Sequence, residues 1–420
     1  MSSVNLTALK ASAEDLERRY AKFSDARLSL DMTRGKPCPE QLDLANGLLT
    51  VLGSDYRAAD GTDCRNYGGL DGLPESKALF AAFMEASPKE VLLGDNSSLA
   101  LMHDTVARAL SHGVPGGDGP WSRSPVKFLC PVPGYDRHFA ICEHFGVEMV
   151  NVDLYEDGPD MDRIEHLAAS DPAVKGMWVV PKYANPSGAT CSARVVERLA
   201  AMRTAAKDFR ILWDNAYAHH HLTSSPPALA SLLDACKAAG NADRVLTYGS
   251  TSKVSFAGAG IAVMAASEAN VAWMRRHRSR STIGPDKLNE LRHVRFFRDM
   301  DGVRAHMEKH AAIIRPKFDR VSSILRRELG DTGLGTFTEP LGGYFVSLDT
   351  MDGCAKAVVQ MAADIGVKLT EAGATFPYGR DPRDRNIRIA PTLPNLADIE
   401  TAMQVVAVCV KRVSLKKLAG

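Results

Sequence analysis

Arg244-Val245-Leu246-Thr247-Tyr248-Gly249-Ser250-Thr251-Ser252-Lys253 joins an apolar run of strand length to a polar, turn-prone stretch that ends in a lysine. The same join recurs upstream. Val126 to Cys130 runs into Pro131-Val132-Pro133-Gly134-Tyr135, Gly176 to Val180 into Pro181-Lys182-Tyr183-Ala184-Asn185-Pro186-Ser187-Gly188, and Phe209 to Trp213 into Asp214-Asn215-Ala216-Tyr217. Val147 to Val152 and Ile261 to Ala265 complete six candidate strands between about 90 and 265. Segments such as Ala193 to Lys207 separate them, with apolar residues at helical spacing. Short apolar runs alternating with amphipathic helices are the signature of a mostly parallel sheet wound with helices, an α/β fold. In such sheets ligands bind beyond the carboxyl ends of the strands, so the four polar loops should converge on one site.

Outside this block the pattern changes. Arg298 to Gly330 reads as one long helical stretch, followed by short strands around Tyr344 to Leu348 and Asn386 to Ile389 and a terminal helix from near Asn395. This is a smaller α+β domain. The first 45 residues have too little apolar periodicity for a domain of their own. The expected division is therefore a large domain over 46–294 and a small domain made of 1–45 with 295–420.

The chain has 420 residues, 45% hydrophobic and 24% charged, enough for two or three domains with sizeable cores. Its 51 basic and 50 acidic side chains give a net charge of +1, which removes the electrostatic reason to expect nucleic acid or an anionic membrane as partner. A small-molecule substrate is expected. The eight cysteines are scattered, with no two closer than 12 positions and no C-x-x-C pair, so neither a zinc site nor a disulfide framework is indicated. Free thiols in apolar runs fit a reducing cytoplasm. Glu14, Asp15 and Glu17 argue against a signal peptide, and no uncharged apolar stretch approaches the ~20 residues of a membrane span.

The convergent loops carry chemistry. Lys253 follows an apolar strand and a serine-rich turn, a setting where desolvation would lower its pKa and free the amine for Schiff-base formation. Taken alone, a solvated loop lysine is the commoner outcome. Asp214 ends the run Ile211-Leu212-Trp213, where a carboxylate is costly without a cationic partner; a structural salt bridge would serve equally. Tyr217 is close enough in sequence to share a ligand with Asp214, or to be a core tyrosine. Gly94-Asp95-Asn96-Ser97-Ser98-Leu99 precedes a helical pattern running to about Ser111, with Asn96 or Ser97 as N-cap. Exposed N–H groups at that terminus would form an anion site, or simply a capped helix. A Schiff-base lysine, a buried carboxylate, a phosphate cradle and hydroxyls beside the lysine together suit pyridoxal 5′-phosphate.

This ordered series resembles the fold-type I pyridoxal-phosphate aminotransferases from about Thr33 to Pro394. Asn185-Pro186-Ser187-Gly188 is similar to the family's N-P-x-G, Asp214 to Tyr217 to its D-x-x-Y, and Ser250 to Lys253 to its S-x-S-K. Tyr67 to Glu75 resembles Y-x-x-x-x-G-x-x-E, Gly342 to Phe345 resembles G-G-x-F, and Asn386 to Ala390 resembles the carboxylate-binding arginine segment. The variants T-R-G-K-P, G-D-N-S-S-L-A-L-M, P-G-Y-D-R-H-F and S-T-S-K-V-S-F-A-G-A-G further resemble a small bacterial subgroup of aspartate aminotransferases.

The resemblance implies roles residue by residue. Lys253 would hold the cofactor and shuttle the proton between the substrate α-carbon and the cofactor, and Asp214 would keep the pyridine nitrogen protonated. Tyr217 and Asn185 would bond the phenolic oxygen, and Tyr135 would stack on the ring. Ser97, Ser98, Ser250 and Ser252 would hold the phosphate, with the Tyr67 hydroxyl arriving from a second subunit of a homodimer. Arg388 would clamp the substrate α-carboxylate by a two-point contact, and Gly35 would leave room for the substrate backbone. The reaction implied is transfer of the amino group of aspartate or glutamate to a 2-oxo acid through a pyridoxamine form of the cofactor.

Two features depart from the expected pattern. Many family members carry a phosphate-binding arginine eight positions after the lysine, where this chain has Ile261, so the phosphate lacks its usual cation unless another basic residue supplies the charge. Arg275, Arg276, Arg278 and Arg280 form a basic run in a stretch resembling the family's intersubunit loop; a solvated face is the alternative. The triple His219-His220-His221 reads as a polar loop near the site mouth, not a metal site, and no metal is expected. Three other functions compete. A transcription regulator with an aminotransferase-like module would need a DNA-binding domain ahead of it, and only about 30 residues precede Thr33. A C–S β-lyase and an aminotransferase for neutral or aromatic amino acids would use the same scaffold.

Overall fold

The structure is a computed structural model that describes residues 13–419. Its strands are β1 (Leu30–Asp31), β2 (Val91–Leu93), β3 (Lys127–Val132), β4 (Glu148–Tyr155), β5 (Gly158–Pro159), β6 (Val174–Val179), β7 (Arg210–Asp214), β8 (Val245–Ser250), β9 (Ala262–Ala266), β10 (Gly335–Phe337), β11 (Val346–Thr350), β12 (Val367–Lys368) and β13 (Asn386–Ile389). Eight form one sheet in the order β2-β9-β8-β7-β6-β3-β4-β5. The run β8-β7-β6-β3-β4 is parallel throughout.

The sheet is apolar on both faces because successive residues of each strand serve different cores. Phe128, Trp178, Leu212 and Leu246 pack with the helix Ser98–His112 on one side. Leu129, Met177, Ile211 and Val245 pack on the other with the helices Met161–Ser170, Ala193–Ala201 and Leu232–Ala238. All six sequence-derived strands are present, displaced by one to three residues at their ends. The sheet is mostly parallel, as expected; at its edge β9 runs antiparallel to β8, and β2, which apolar pattern alone did not reveal, runs antiparallel to β9. The helix expected over Ala193 to Lys207 stops at Ala201, where Met202 turns to extended backbone (ψ 148°), although Met202 and Ala206 still pack into the same core as Val195, Val196 and Leu199.

A second core gathers the C-terminal third. The antiparallel sheet β10-β11-β13 packs with the helix Ala355–Asp364 and the terminal helix Leu396–Ala419. The N-terminal helix Ala13–Asp25 adds Leu16 to this core, and β1 pairs in parallel with β12. The long helix Met300–Leu329 spans both regions: Val303 and Met307 join a cluster on the large sheet, whereas Ile314 to Leu329 join the C-terminal core. Residues 1–12 and 420 of the expected small domain lie outside the described residues.

Candidate active site

The carboxyl ends of β3, β6, β7 and β8 open onto one cavity of about 370 Å³. Tyr135, Asn185, Asp214, Tyr217, Ser250, Ser252 and Lys253 line it, together with Asn96, Ser97 and Ser98 from the start of the helix Ser98–His112. The convergence follows from topology: parallel strands put all their carboxyl ends on one edge, and each loop delivers its polar residues there.

Asp214, the last residue of β7, is 2% exposed. Its Oδ2 lies 2.9 Å from His138 Nε2, while its Oδ1 is buried with no partner among the described residues. His138 is itself held flat against Trp178, with ring centroids 4.4 Å apart and planes 9° from parallel, and its edge meets Tyr135. His138 sits one turn into the helix Asp136–His144, where i to i+3 spacing puts it beside Tyr135. In the sequence its signal is a histidine three residues after Tyr135.

Lys253 Nζ lies 5.0 Å from the ring centre of Tyr217 and 5.8 Å from that of Tyr344. Its peptide carbonyl is approached from two sides, by His220 Nε2 at 3.2 Å and by the Tyr344 hydroxyl, which donates at 3.4 Å. Gln41 Nε2 donates in turn to the Tyr344 oxygen. The histidine triple, expected as a polar loop near the site mouth, is tied into the protein by all three rings. His219 Nε2 meets the Phe83 carbonyl, His220 is buried behind the lysine, and His221 Nδ1 lies 2.8 Å from the Tyr183 hydroxyl. Burial, reinforced by the Lys253 charge, holds His220 well below the ordinary imidazole range. Burial also raises the Tyr217 phenol, with Asp214 adding to the effect, and pushes Tyr135 up to about 12. Both phenols therefore stay protonated and can donate at neutral pH. Among the described residues, no group of three or more His, Cys, Asp or Glu side chains could hold a metal ion.

The helix start that lines the cavity offers backbone and hydroxyl donors. Ser97 is the N-cap, its hydroxyl accepting from Ala100 N at 3.2 Å, which leaves the N–H groups at the start of the helix next to the cavity. Ser252 Oγ donates to the Asn96 carbonyl and Asn96 Nδ2 to the Gly258 carbonyl, tying the two loops together. Ile261 is 1% exposed and packs with Leu93 and Val254, so its side chain belongs to the core. Lys253 is the one cation among the lining residues. Of the basic run, Arg278 turns inward and donates to the Leu93 carbonyl at 2.5 Å, while Arg275, Arg276 and Arg280 are exposed.

Arg388, on β13, is brought to the site by the sheet of the second core. Its Nη1 donates to Asp136 Oδ1 at 2.8 Å and to Asn185 Oδ1 at 3.4 Å, and its guanidinium lies 5.1 Å from the Phe345 ring centre. Gly35 is required by that ring: a Cβ there would fall 2.5 Å from Phe345 Cζ. Arg34 is exposed. Tyr67 is not brought to the cavity; it is 83% exposed, on a loop beside Ile283 and Pro285.

The chain is similar to known aminotransferases along its whole length. The family model described as aspartate amino-transferase matches residues 1–420. An aspartate aminotransferase from Corynebacterium glutamicum is 46% identical over 417 residues, covering 98% of this chain and 96% of the relative. A crystal structure of an aspartate transaminase from the same organism superposes with a TM-score of 0.96 at 44% identity, over 99% of this chain and all of that one. The α-aminoadipate aminotransferase LysN of Thermus thermophilus, solved with N-(5′-phosphopyridoxyl)-L-leucine, shares the fold at 21% identity, with a TM-score of 0.76 over 96% of this chain and 95% of that one.

Proposed function

The chain belongs to the aspartate aminotransferase family, and we propose that it moves the amino group of aspartate or glutamate to a 2-oxo acid with pyridoxal 5′-phosphate bound at Lys253. One observation carries the cofactor reading: the buried, unpartnered Oδ1 of Asp214, in a cavity that also holds Lys253. A buried carboxylate oxygen without a donor costs several kcal/mol, by order of magnitude, unless a ligand supplies one. A protonated ring nitrogen is such a donor. The helix terminus and the serine hydroxyls suit the phosphate at the other end.

When bound, the cofactor supplies an electron sink for the pair left at the substrate α-carbon once its proton departs. The chain's own residues do the rest. Asp214, oriented by His138, keeps the ring nitrogen protonated. Tyr217 and Asn185 hydrogen-bond the ring's phenolic oxygen, and Tyr135 covers one ring face and excludes water. Lys253 Nζ would take the proton from the α-carbon and deliver it two atoms along, at the carbon on the far side of the transferred nitrogen, a movement a flexible four-carbon arm permits. Arg388 binds the α-carboxylate, and the Phe345 ring under its guanidinium fixes the plane of that contact. Ser97, Ser98, Ser250 and Ser252 hold the phosphate.

Several finer points rest on the same reading. Tyr67 serves the phosphate of a neighbouring subunit in a homodimer; its exposure, beside the exposed Ile283 and Leu288, supports this. The cofactor domain spans 46–294 and the small domain 1–45 with 295–420, with the separate apolar clusters as support. All eight cysteines are free and buried, which favours a reducing, cytoplasmic setting. Among the described residues no helix is long and apolar enough to cross a membrane. The test is an assay of purified holoenzyme on aspartate and on a cystathionine-like thioether, with and without a 2-oxo acid acceptor. Acceptor-dependent turnover of aspartate is expected; acceptor-independent release of a 2-oxo acid from the thioether would make it a lyase.

A further inference from the structure

Arg388 already has a carboxylate partner in the protein. Its side chain is 8% exposed and its Nη1 donates to Asp136 Oδ1 at 2.8 Å, whereas the Asp136 side chain is 34% exposed. The remaining contacts are weaker: Asn185 Oδ1 from the same Nη1 and Thr370 Oγ1 from Nε, each at 3.4 Å. We infer that Asp136 is a resident counterion that occupies the substrate-carboxylate position of Arg388 and is displaced when substrate binds, so that it sets how tightly the site takes carboxylates. This rests on the reading of Arg388 as the α-carboxylate clamp.

Three physical features support an exchange over a permanent bridge. A guanidinium this buried needs a counterion when no substrate is present, because an unpaired buried charge is strongly unfavourable. The partner that must leave is the better hydrated of the two, so releasing it to water is the cheaper half of the exchange. Asp136 is also the first residue of the nine-residue helix Asp136–His144, where the helix dipole favours a negative charge that has lost its arginine. Asp136 and Asn185 both draw on Nη1, so a two-point contact across Nη1 and Nη2 requires one to yield. Only Asp136 can be replaced charge for charge. It directly follows Tyr135, so the displaced side chain stays at the rim of the ring site.

The test uses the holoenzyme and succinate, a dicarboxylate with no amino group to transfer. Asp136→Asn keeps size and hydrogen bonding but removes the charge, and is expected to bind succinate roughly two- to fivefold tighter, the range for a partly exposed ion pair. KM for the amino acid and for the 2-oxo acid should fall by a similar factor while kcat changes less. Asp136→Glu, which keeps the charge, should not tighten binding. Succinate affinity in folded, cofactor-loaded Asp136→Asn that is equal to or weaker than wild type overturns the inference. Arg388→Lys separates this from failure of the clamp itself: unchanged succinate affinity in that variant removes the clamp reading, whereas lost affinity there together with no gain in Asp136→Asn removes only the counterion role.

Discussion

Asp214 gives one carboxylate oxygen to His138, at 2.9 Å, and keeps the other without a partner inside the cavity. The pair is buried on both sides, and the stack of His138 on Trp178 fixes the plane of the imidazole and with it the direction of the bond. The carboxylate is thereby aimed before any ligand arrives, and aiming matters because a misdirected buried charge loses most of its value to a developing charge. Asp214→Asn is expected to lower kcat by about 100-fold or more. Removing only the bond from His138, by His138→Phe, keeps the stack and should cost roughly ten- to a hundredfold, the worth of one hydrogen bond to a charged group. Steady-state rates at matched cofactor occupancy, read from the absorbance of the bound cofactor, check both; equal rates in wild type and Asp214→Asn would contradict the role.

Lys253 is expected to be the covalent attachment point. Borohydride treatment of holoenzyme followed by peptide mapping should find the label on Lys253, and a label on another lysine would remove the assignment. Lys253→Ala should still fold and still take up cofactor through the phosphate cradle. Its amino-transfer rate in single turnover should fall by about 10²–10⁴, the range for losing a positioned acid–base group.

Glu290 governs a pH dependence of stability. It is fully buried, its Oε2 accepts from Leu73 N at 2.7 Å, at the base of the loop that carries Tyr67, and its Oε1 has no partner among the described residues. Burial raises its pKa from 4.5 to about 7. A carboxyl raised in the folded state binds its proton to higher pH there than in the unfolded chain, so stability falls as pH rises from about 4.5 to about 7. The loss is on the order of 3 kcal/mol if this group acts alone. Glu290→Gln, which keeps an acceptor for Leu73, should flatten that slope and exceed wild type in stability above pH 7, with the difference vanishing at pH 4. Denaturant melts across this range measure it; parallel curves for the two proteins would exclude the effect.

A dicarboxylate donor needs a second cation for its distal carboxylate, and the candidates are Arg34, beside Gly35, and Arg278 or Arg280 of the basic run. Arg278 is committed to the Leu93 carbonyl and buried, so Arg278→Ala should lower stability and leave the ratio of kcat/KM for aspartate over alanine unaltered. Arg34 and Arg280 are free to meet a substrate. The Arg34 segment is tied to the clamp, since Thr370 donates to the Thr33 carbonyl and its hydroxyl also accepts from Arg388 Nε. Substituting Arg34 or Arg280 is expected to reduce the aspartate preference by about tenfold or more in at least one case, as an unpaired carboxylate in a closed site would require. Unchanged ratios in both variants would point to a preference for neutral or aromatic amino acids.

The amino-acid sequence by itself determined the wound sheet, its strands to within a few residues, the loops that carry the site, and the reactive residue types at their ends. These are properties of short stretches: an apolar run, a turn-prone sequence, a lysine or aspartate directly after a strand. Tertiary structure alone decided the antiparallel course of β9, the burial of Arg278, and the position of Tyr67 outside the cavity. It also made the pairs that tune the chemistry. His138 meets Asp214 across 76 positions and Asp136 meets Arg388 across 252, and no local pattern encodes either distance. Strand order and the packing of the second core bring these partners together, because a hydrogen bond depends on separation in space, and periodicity along the chain fixes only which face of an element each residue occupies.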